Sequence, residues 1–114
     1  MVLVKRFEIY LVNLDAEPSR DAEPSRDAKN TRLCVVVSPD ELNNHLSTVI
    51  IAPISSTRKR YPTYVPALVI NSERSIVLNQ LRSVDTVRLV KRIGEVDENV
   101  KLLIVEVLQE MFAQ

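Results

Sequence analysis

The stretch RLCVVVSPDELNNHLSTVIIAPISS, from Arg32 to Ser56, predicts two buried strands joined by a short helix. Residues 32–37 and 48–54 are predicted strands, because after Arg32 and Thr48 they are continuous apolar runs rich in Val and Ile, which is typical of buried strands. Between them, Ser38-Pro39-Asp40-Glu41 has the pattern of a helix capping box, with Ser38 as the N-cap and Pro39 at the first helical position. The stretch therefore predicts a strand–helix–strand unit, with Pro53 near a sheet edge or bulge.

The rest of the chain predicts further short strands and one late helix. Residues 5–14 alternate, with Phe7, Ile9 and Leu11 on one face and Glu8, Tyr10 and Val12 on the other. Strands are also expected at about 63–70, 75–81 and 89–96, with turns at Asn71-Ser72-Glu73 and Val84–Val87. Asp97 is expected to cap a helix whose apolar stripe is Val100, Leu103, Ile104, Val107, Leu108, Met111 and Phe112. These elements predict a mainly β (α+β) fold, a small barrel-like sheet packed by a helix.

Length and composition indicate one ordinary globular domain over residues 1–114. The chain is 46% hydrophobic and 26% charged, and no apolar run is long enough to suggest a membrane span. The single cysteine, Cys34, lies in a strand and is expected to be a small buried hydrophobe, which fits a cytoplasmic protein. Residues 15–31 are expected to form an extended loop, because the hexamer DAEPSR occurs twice there, at 15–20 and 21–26.

Charge is unevenly distributed although the net charge is zero. Residues 55–92 hold eight Lys and Arg against two Asp and Glu, whereas both ends of the chain are acidic. A basic surface suits an anionic ligand such as RNA, although scattered exposed cations explain the same count. One Cys and one His, His45, leave no ligand set for a metal site, and the single glycine excludes a glycine-rich phosphate loop. No cofactor is predicted.

Arg32 and Ser55 stand at the ends of neighbouring predicted strands. A guanidinium binds phosphate oxygens in bidentate fashion, and a hydroxyl donates a hydrogen bond to the same group. Together they suit cleavage of an RNA phosphodiester, in which the ribose 2′-hydroxyl attacks the adjacent phosphate and charge develops on its oxygens. On the residues alone, a surface ion pair for Arg32 and a plain turn at Ser55-Ser56 are the commoner roles.

Six segments in order resemble the MazF/PemK-like endoribonuclease toxins of bacterial toxin–antitoxin systems. They are EIYLVNLD at 8–15, TRLCVVVSPDELNN at 31–44, TVIIAPISS at 48–56, YPTYV at 61–65, IVLNQLRSVD at 76–85 and RLVKRIGEV at 88–96. The resemblance implies an SH3-like small β-barrel of the PemK/CcdB type, a homodimer, a cognate antitoxin, and cleavage of single-stranded mRNA at short sequence motifs without a metal. It assigns Arg32 and Ser55 as catalytic residues.

Further residues are expected to bind RNA. The basic loop Arg58-Lys59-Arg60 would hold backbone phosphates, and Thr63 and Tyr64 would read or stack a base. The complete predicted RNA-binding set is Asp27, Ser56, Arg58, Lys59, Arg60, Thr63, Tyr64, Asn79, Gln80 and Arg82. Asp27 enters because deleting one hexamer restores the family's loop spacing and places Asp27 near the family's loop glutamate.

Departures from the family pattern motivate a rival function. Phe7-Glu8 stands where the family has Gly-Asp or Gly-Glu, Leu33 stands for a proline, and Asn79 stands for an acidic residue. Asn79, Leu33 and the first loop, where the DAEPSR repeat replaces the family's Gly-x-Glu, motivate the first rival, a toxin-fold protein that binds RNA or an antitoxin and has lost most cleavage. The second is a gyrase-poison-like toxin acting through the C-terminal helix.

Overall fold

The computed structural model describes residues 3–14 and 30–113, and it contains seven strands and two α-helices in these ranges. The strands are β1 (Glu8–Asn13), β2 (Thr31–Val36), β3 (Thr48–Ser55), β4 (Tyr64–Val69), β5 (Ser72–Val77), β6 (Arg82–Asp85) and β7 (Leu89–Glu95). The helices are α1 (Asp40–His45) and α2 (Glu98–Phe112), and 3₁₀ turns cover Leu78–Gln80 and Thr86–Arg88. The predicted mainly β fold with a C-terminal helix is confirmed.

All of the described strand pairs are antiparallel, and they form one curled sheet with the order β4-β5-β3-β2-β1-β7. β6 lies outside this path and pairs with the first half of β3, from Thr48 to Ile51. β5 pairs with the last two residues of β3, Ile54 and Ser55. β3 therefore changes partners on one edge in the middle of its length.

The sheet separates two apolar clusters, as the alternation in β1 predicts. Ile9 belongs to a first core cluster that α2 covers, whereas Tyr10 and Val12 belong to a second core cluster on the other face. The first core cluster is Ile9, Val35, Val37, Ala52, Ile54, Val65, Ala67, Val69, Ile76, Leu78, Val96, Val100 and Ile104. The second core cluster is Val4, Tyr10, Val12, Cys34, Val36, Val49, Ile51 and Val84. Cys34 is fully buried, as predicted.

α2 packs its apolar stripe against the first core cluster. Val100 and Ile104 are buried, and Val107, Leu108 and Met111 are partly buried against it, whereas Phe112 is 72% exposed. Asp97 stands at the predicted N-cap position, but its side chain makes no capping hydrogen bond. Among the described residues, no helix has the length and apolarity needed to cross a membrane.

The predicted capping box at α1 is wrong. Pro39 occupies the N-cap position, and no side chain caps the helix. The Ser38 hydroxyl instead donates to Asn43 Oδ1 at 2.6 Å and accepts from the Ile50 amide at 3.0 Å. Ser38 is buried, and these two hydrogen bonds of its hydroxyl join α1 to β3. If the hydroxyl capped the helix instead, the buried Asn43 oxygen and Ile50 amide would lose this partner.

Several predicted boundaries are also wrong. The turn after β4 is Ile70-Asn71, with φ of 50° and 58°, and Val69 pairs directly with Ser72. Two positive φ values in a two-residue loop match a type I′ hairpin, which starts β5 earlier than expected. β5 also ends at Val77, and the predicted turn at 84–87 is largely β6 followed by a 3₁₀ turn.

Both prolines in the sheet sit where a missing N–H is tolerated. Pro53 is not at an outer edge: it lies on β3 between the residues that pair with β6 and those that pair with β5. Pro66 lies opposite Ser75 on β4, the terminal strand of the sheet. The Pro66 nitrogen has no hydrogen to donate to β5, so Pro66 is tolerated where this nitrogen points away from β5. The outer edge of β4 therefore has one backbone donor fewer.

Candidate functional site

The two residues predicted to be catalytic lie together at one end of the sheet. β2 and β3 pair Cys34 with Pro53, and the same register extended by two residues places Arg32 across from Ser55. Arg32 is exposed, and the Ser55 side chain is half-buried. Side chains alternate along a strand, so Arg32 shares its face with Cys34, and Ser55 shares its face with Ile51. Both therefore lie on the face of the second core cluster.

Arg82 joins this pair from the other side of β3. It begins β6, pairs with Ile51, and lies on the same face as Val84 of the second core cluster. Burial raises the pKa of the Cys34 thiol to about 12, and the positive charges of Arg32 and Arg82 act in the opposite direction. Both guanidinium groups are exposed, and both act on the Cys34 thiol through their charge from the surface above the second core cluster.

The Ser55 hydroxyl is oriented by the chain that follows it. The Thr57 amide donates to Ser55 Oγ at 3.1 Å. A serine hydroxyl has one hydrogen to donate and two acceptor positions, so this contact uses an acceptor position and leaves the hydrogen for a further partner. On the opposite strand, β5 presents Ser75 directly across from Ser55. Ser75 is buried, and the sequence analysis did not select it because an isolated serine in a strand carries no local signal.

The predicted base-reading residues form a second group beyond β5. The Leu78 amide donates to the Thr63 carbonyl at 3.0 Å, which fixes Thr63 beside the 3₁₀ turn that carries Asn79 and Gln80. Tyr64 pairs with Val77, the residue before this turn. Asn79 and Gln80 are exposed. The structure thus brings these four predicted residues into one neighbourhood, while their role in RNA binding stays a prediction.

The basic loop lies beside this second group. Arg58, Lys59 and Arg60 are exposed and line a groove of about 860 Å³ with the rings of Tyr61 and Tyr64. The two rings meet edge to face, with centroids 5.0 Å apart and an interplanar angle of 67°. Cations beside exposed aromatic rings suit a single-stranded nucleic acid, because the rings stack bases and the cations bind phosphates.

Two remaining predicted residues, Ser56 and Asp27, and one residue that was not predicted, Arg74, differ in their relation to this arrangement. Ser56 is exposed one residue beyond Ser55 and lines a smaller groove with Arg58. Asp27 lies outside the described residues. Arg74 was not predicted, yet it lines both the groove of the basic loop and the groove at Ser56. The only sequence signal for Arg74 is its charge within the basic middle third of the chain.

The sequence departs from the family pattern at Phe7-Glu8, which precede and begin β1. In sequence these residues are remote from Arg32 and Ser55, and Glu8 takes part in a buried network of polar contacts. Glu8 is buried and accepts from the Lys5 amide at 2.7 Å and from the Tyr10 hydroxyl at 3.2 Å. Arg92 forms an ion pair with the same carboxylate. Burial, followed by the charge of Glu8, raises the pKa of Tyr10. These contacts join β1 to β7 and account for Glu8 by structure alone.

Comparison with known proteins yields one family and one fold. A sequence model described as PemK-like, MazF-like toxin of type II toxin-antitoxin system matches residues 5–112. No curated protein sequence matches the chain. The fold resembles MazF (Form-I) from Deinococcus radiodurans, with a TM-score of 0.76, 16% identity and 100% of both chains covered.

Two mycobacterial structures share the fold as well. The Mycobacterium tuberculosis toxin MazF-mt6 has a TM-score of 0.72 at 18% identity, covering 92% of this chain and 95% of that one. An endoribonuclease in complex with its cognate antitoxin, from Mycobacterial species, has a TM-score of 0.73 at 18% identity, covering 94% and 92%. At these identities the structures establish a common fold.

Proposed function

The chain belongs to the PemK-like, MazF-like toxin family of type II toxin–antitoxin systems, and from this premise we propose that it is a metal-independent, sequence-specific endoribonuclease that cleaves single-stranded mRNA. The observation that carries the proposal is the pairing of Cys34 with Pro53, because its register, extended by two residues, puts Arg32 and Ser55 on one face at the same end of the sheet. Solved relatives of the same fold are named endoribonucleases, which supports the same reaction class.

The reaction is an intramolecular transesterification of one RNA phosphodiester. The ribose 2′-oxygen forms a bond to the adjacent phosphorus and loses its proton, while the bond from phosphorus to the 5′-oxygen breaks and that oxygen gains a proton. The products are a 2′,3′-cyclic phosphate and a 5′-hydroxyl. Negative charge grows on the non-bridging oxygens in the transition state, so the protein's task is to stabilise that charge.

Arg32 performs this task as a fixed cation. Its guanidinium presents paired N–H groups to two phosphate oxygens. Ser55 donates its remaining hydroxyl hydrogen to the same phosphate. Arg82 adds positive charge from the far side of β3, where it pairs with Ile51.

The partners follow from the family. We expect a homodimer that binds single-stranded RNA and a cognate antitoxin, as the mycobacterial endoribonuclease binds its own antitoxin. Thr63, Tyr64, Asn79 and Gln80 would contact bases, and Arg58, Lys59 and Arg60 would hold the phosphate backbone. Cytoplasmic mRNA is the expected substrate.

The proposal is tested by incubating purified protein with a long single-stranded RNA in EDTA. The expected result is cleavage at one short motif with 2′,3′-cyclic phosphate ends. Arg32→Ala is expected to abolish cleavage, with a rate loss of at least about 100-fold, the size of effect known for one transition-state donor. Lys91→Ala is the matched control, because Lys91 is an exposed cation on β7 that lines none of the grooves above.

Intact RNA at high wild-type concentration would overturn the ribonuclease proposal. In that case Asn79→Asp restores the family's acidic residue, and recovered cleavage would identify a weakened toxin. Cleavage that persists in Arg32→Ala would instead refute the role assigned to Arg32.

A further inference from the structure

A small groove adjoins Ser55 at the end of β3. It has a volume of about 410 Å³ and is lined by Ser56, Arg58, Ser72, Glu73 and Arg74. β3 and β5 pair Ser55 with Ser75. This pairing ends with β3, and the residues that follow, Ser56 and Arg58, line the groove together with Ser72 and Arg74 of β5. The groove therefore begins one residue beyond Ser55, and Arg74, which pairs with Ala67 of the first core cluster, reaches it from the opposite face of the sheet.

Arg74 is held in position by the hairpin that precedes it. Its Nε donates to the Val69 carbonyl at 3.2 Å, and the side chain is half-buried. This contact fixes the stem and the plane of the guanidinium. The two terminal nitrogens remain for an acceptor with two oxygens, and this fork geometry is the one in which arginine binds phosphate.

Glu73 is a competitor for the same cations. Arg58 Nη1 contacts Glu73 Oε2 at 2.8 Å, and the two side chains are 69% and 71% exposed. An ion pair in full contact with water is weak, because solvent screens it and two long side chains lose freedom. A phosphate bound between Arg58 and Arg74 can therefore displace the Glu73 carboxylate.

We propose that Ser56, Arg58, Ser72 and Arg74 form a second phosphate-binding site, which holds the RNA phosphodiester next to the one that is cleaved. Residues one to three positions beyond Ser55 lie roughly 3–10 Å away at the rise of an extended chain, within reach of the neighbouring phosphate. The contacts are made to the backbone, so this site binds all sequences alike. The inference rests on the proposed ribonuclease function and adds Ser72 and Arg74 to it.

The test measures binding of an RNA whose ribose 2′-oxygens are methylated, because this probe cannot be cleaved and reports affinity independently of catalysis. Arg74→Ala is expected to weaken binding about tenfold, the effect of losing one hydrogen-bonded charge pair. It is also expected to lower the slope of log affinity against log salt by about 0.7, the value for one phosphate contact on a single strand. Arg74→Lys should give an intermediate affinity with an unchanged slope.

Glu73→Gln is expected to change RNA affinity in the opposite direction. Removing the competing carboxylate should tighten RNA binding several-fold, a gain that loss of a merely structural ion pair would not produce. Lys91→Ala controls for the loss of one positive charge elsewhere, and Arg58→Ala replaces Arg74→Ala if circular dichroism shows that Arg74→Ala is unfolded.

The outcomes separate the two proposals. Unchanged affinity and salt slope in both Arg74→Ala and Glu73→Gln would overturn the second phosphate site even if the wild type cleaves RNA. Absence of cleavage with the expected binding changes would overturn the ribonuclease function and leave the site in place as an RNA contact.

Discussion

Phe7 stores backbone strain at the start of β1, and its replacement by glycine and by alanine measures that strain. Its φ is 73°, in the left-handed region that disfavours a side chain. The Phe7 amide donates to the Val36 carbonyl at 2.7 Å, and its own carbonyl accepts from the Val96 amide at 3.1 Å. Because both neighbours hold the backbone, the residue cannot relax to a negative φ without losing these hydrogen bonds.

The expected magnitudes follow from the surroundings of the ring. The ring is partly buried against the first core cluster and lies 5.0 Å from the Arg6 guanidinium and 5.9 Å from the Lys101 ammonium. Losing a half-buried phenyl group costs roughly 2 kcal/mol, about half of a full burial, in both variants. Phe7→Ala keeps the left-handed strain, which is about 1–2 kcal/mol. Phe7→Gly removes it and loses about 0.5–1 kcal/mol to the greater freedom of the unfolded chain.

Urea unfolding at one fixed protein concentration measures the difference, since association would otherwise shift the midpoint. Phe7→Gly is expected to be more stable than Phe7→Ala by about 0.5–1 kcal/mol, with the same m-value. At an ordinary strand position glycine is the less stable of the two by about the same amount. An alanine variant equal to or more stable than the glycine variant would refute the strain at Phe7.

Two further predictions concern stability. Ile70→Asn should raise the free energy of unfolding by about 1 kcal/mol and the melting temperature by a few degrees. The reason is that Ile70 is β-branched and 55% exposed and has a φ of 50°, a value that asparagine adopts more readily. A lower melting temperature would contradict the type I′ turn. Burial raises the pKa of Cys34 to about 12 from 9.0, so between these pH values the unfolded chain loses the thiol proton while the folded chain retains it. Stability should therefore fall as pH rises above 9, by about 1.4 kcal/mol per pH unit. Cys34→Ala should remove that part of the slope in urea unfolding between pH 8 and 10.5, and an unchanged slope would show that the thiol is not the cause.

The strand periodicity and the apolar helix stripe predicted the architecture because burial is encoded locally. Alternation in β1 divides Ile9 from Tyr10 and Val12, and the structure places them in different clusters. The pairing of β6 with β3 carried no such signal. Arg82–Asp85 has one buried residue, Val84, so its pattern resembles a turn and only the long-range partner makes it a strand.

The sequence supplied candidate site residues but not how they approach one another in the fold. Arg32 and Ser55 were selected as residues flanking two strands, and their proximity depends on a register that single strands do not specify. Ile70-Asn71 was missed as a turn because isoleucine disfavours positive φ, so the turn chemistry pointed to residues one position later. Arg74 was not selected either, because its position opposite Ala67 depends on where the β4–β5 hairpin turns.

The change of partner along β3 explains why the site forms where it does. β3 pairs with β6 up to Ile51 and with β5 from Ile54, and the chain crosses between these two strands through the 3₁₀ turn Leu78–Gln80. That crossing places Asn79, Gln80 and Arg82 beside the middle of β3, between its pairings at Ile51 and Ile54. The interruption of the ladder leaves these three side chains exposed. One break in the sheet, with Pro53 inside it, therefore gathers three predicted RNA contacts a few residues along β3 from the predicted catalytic hydroxyl.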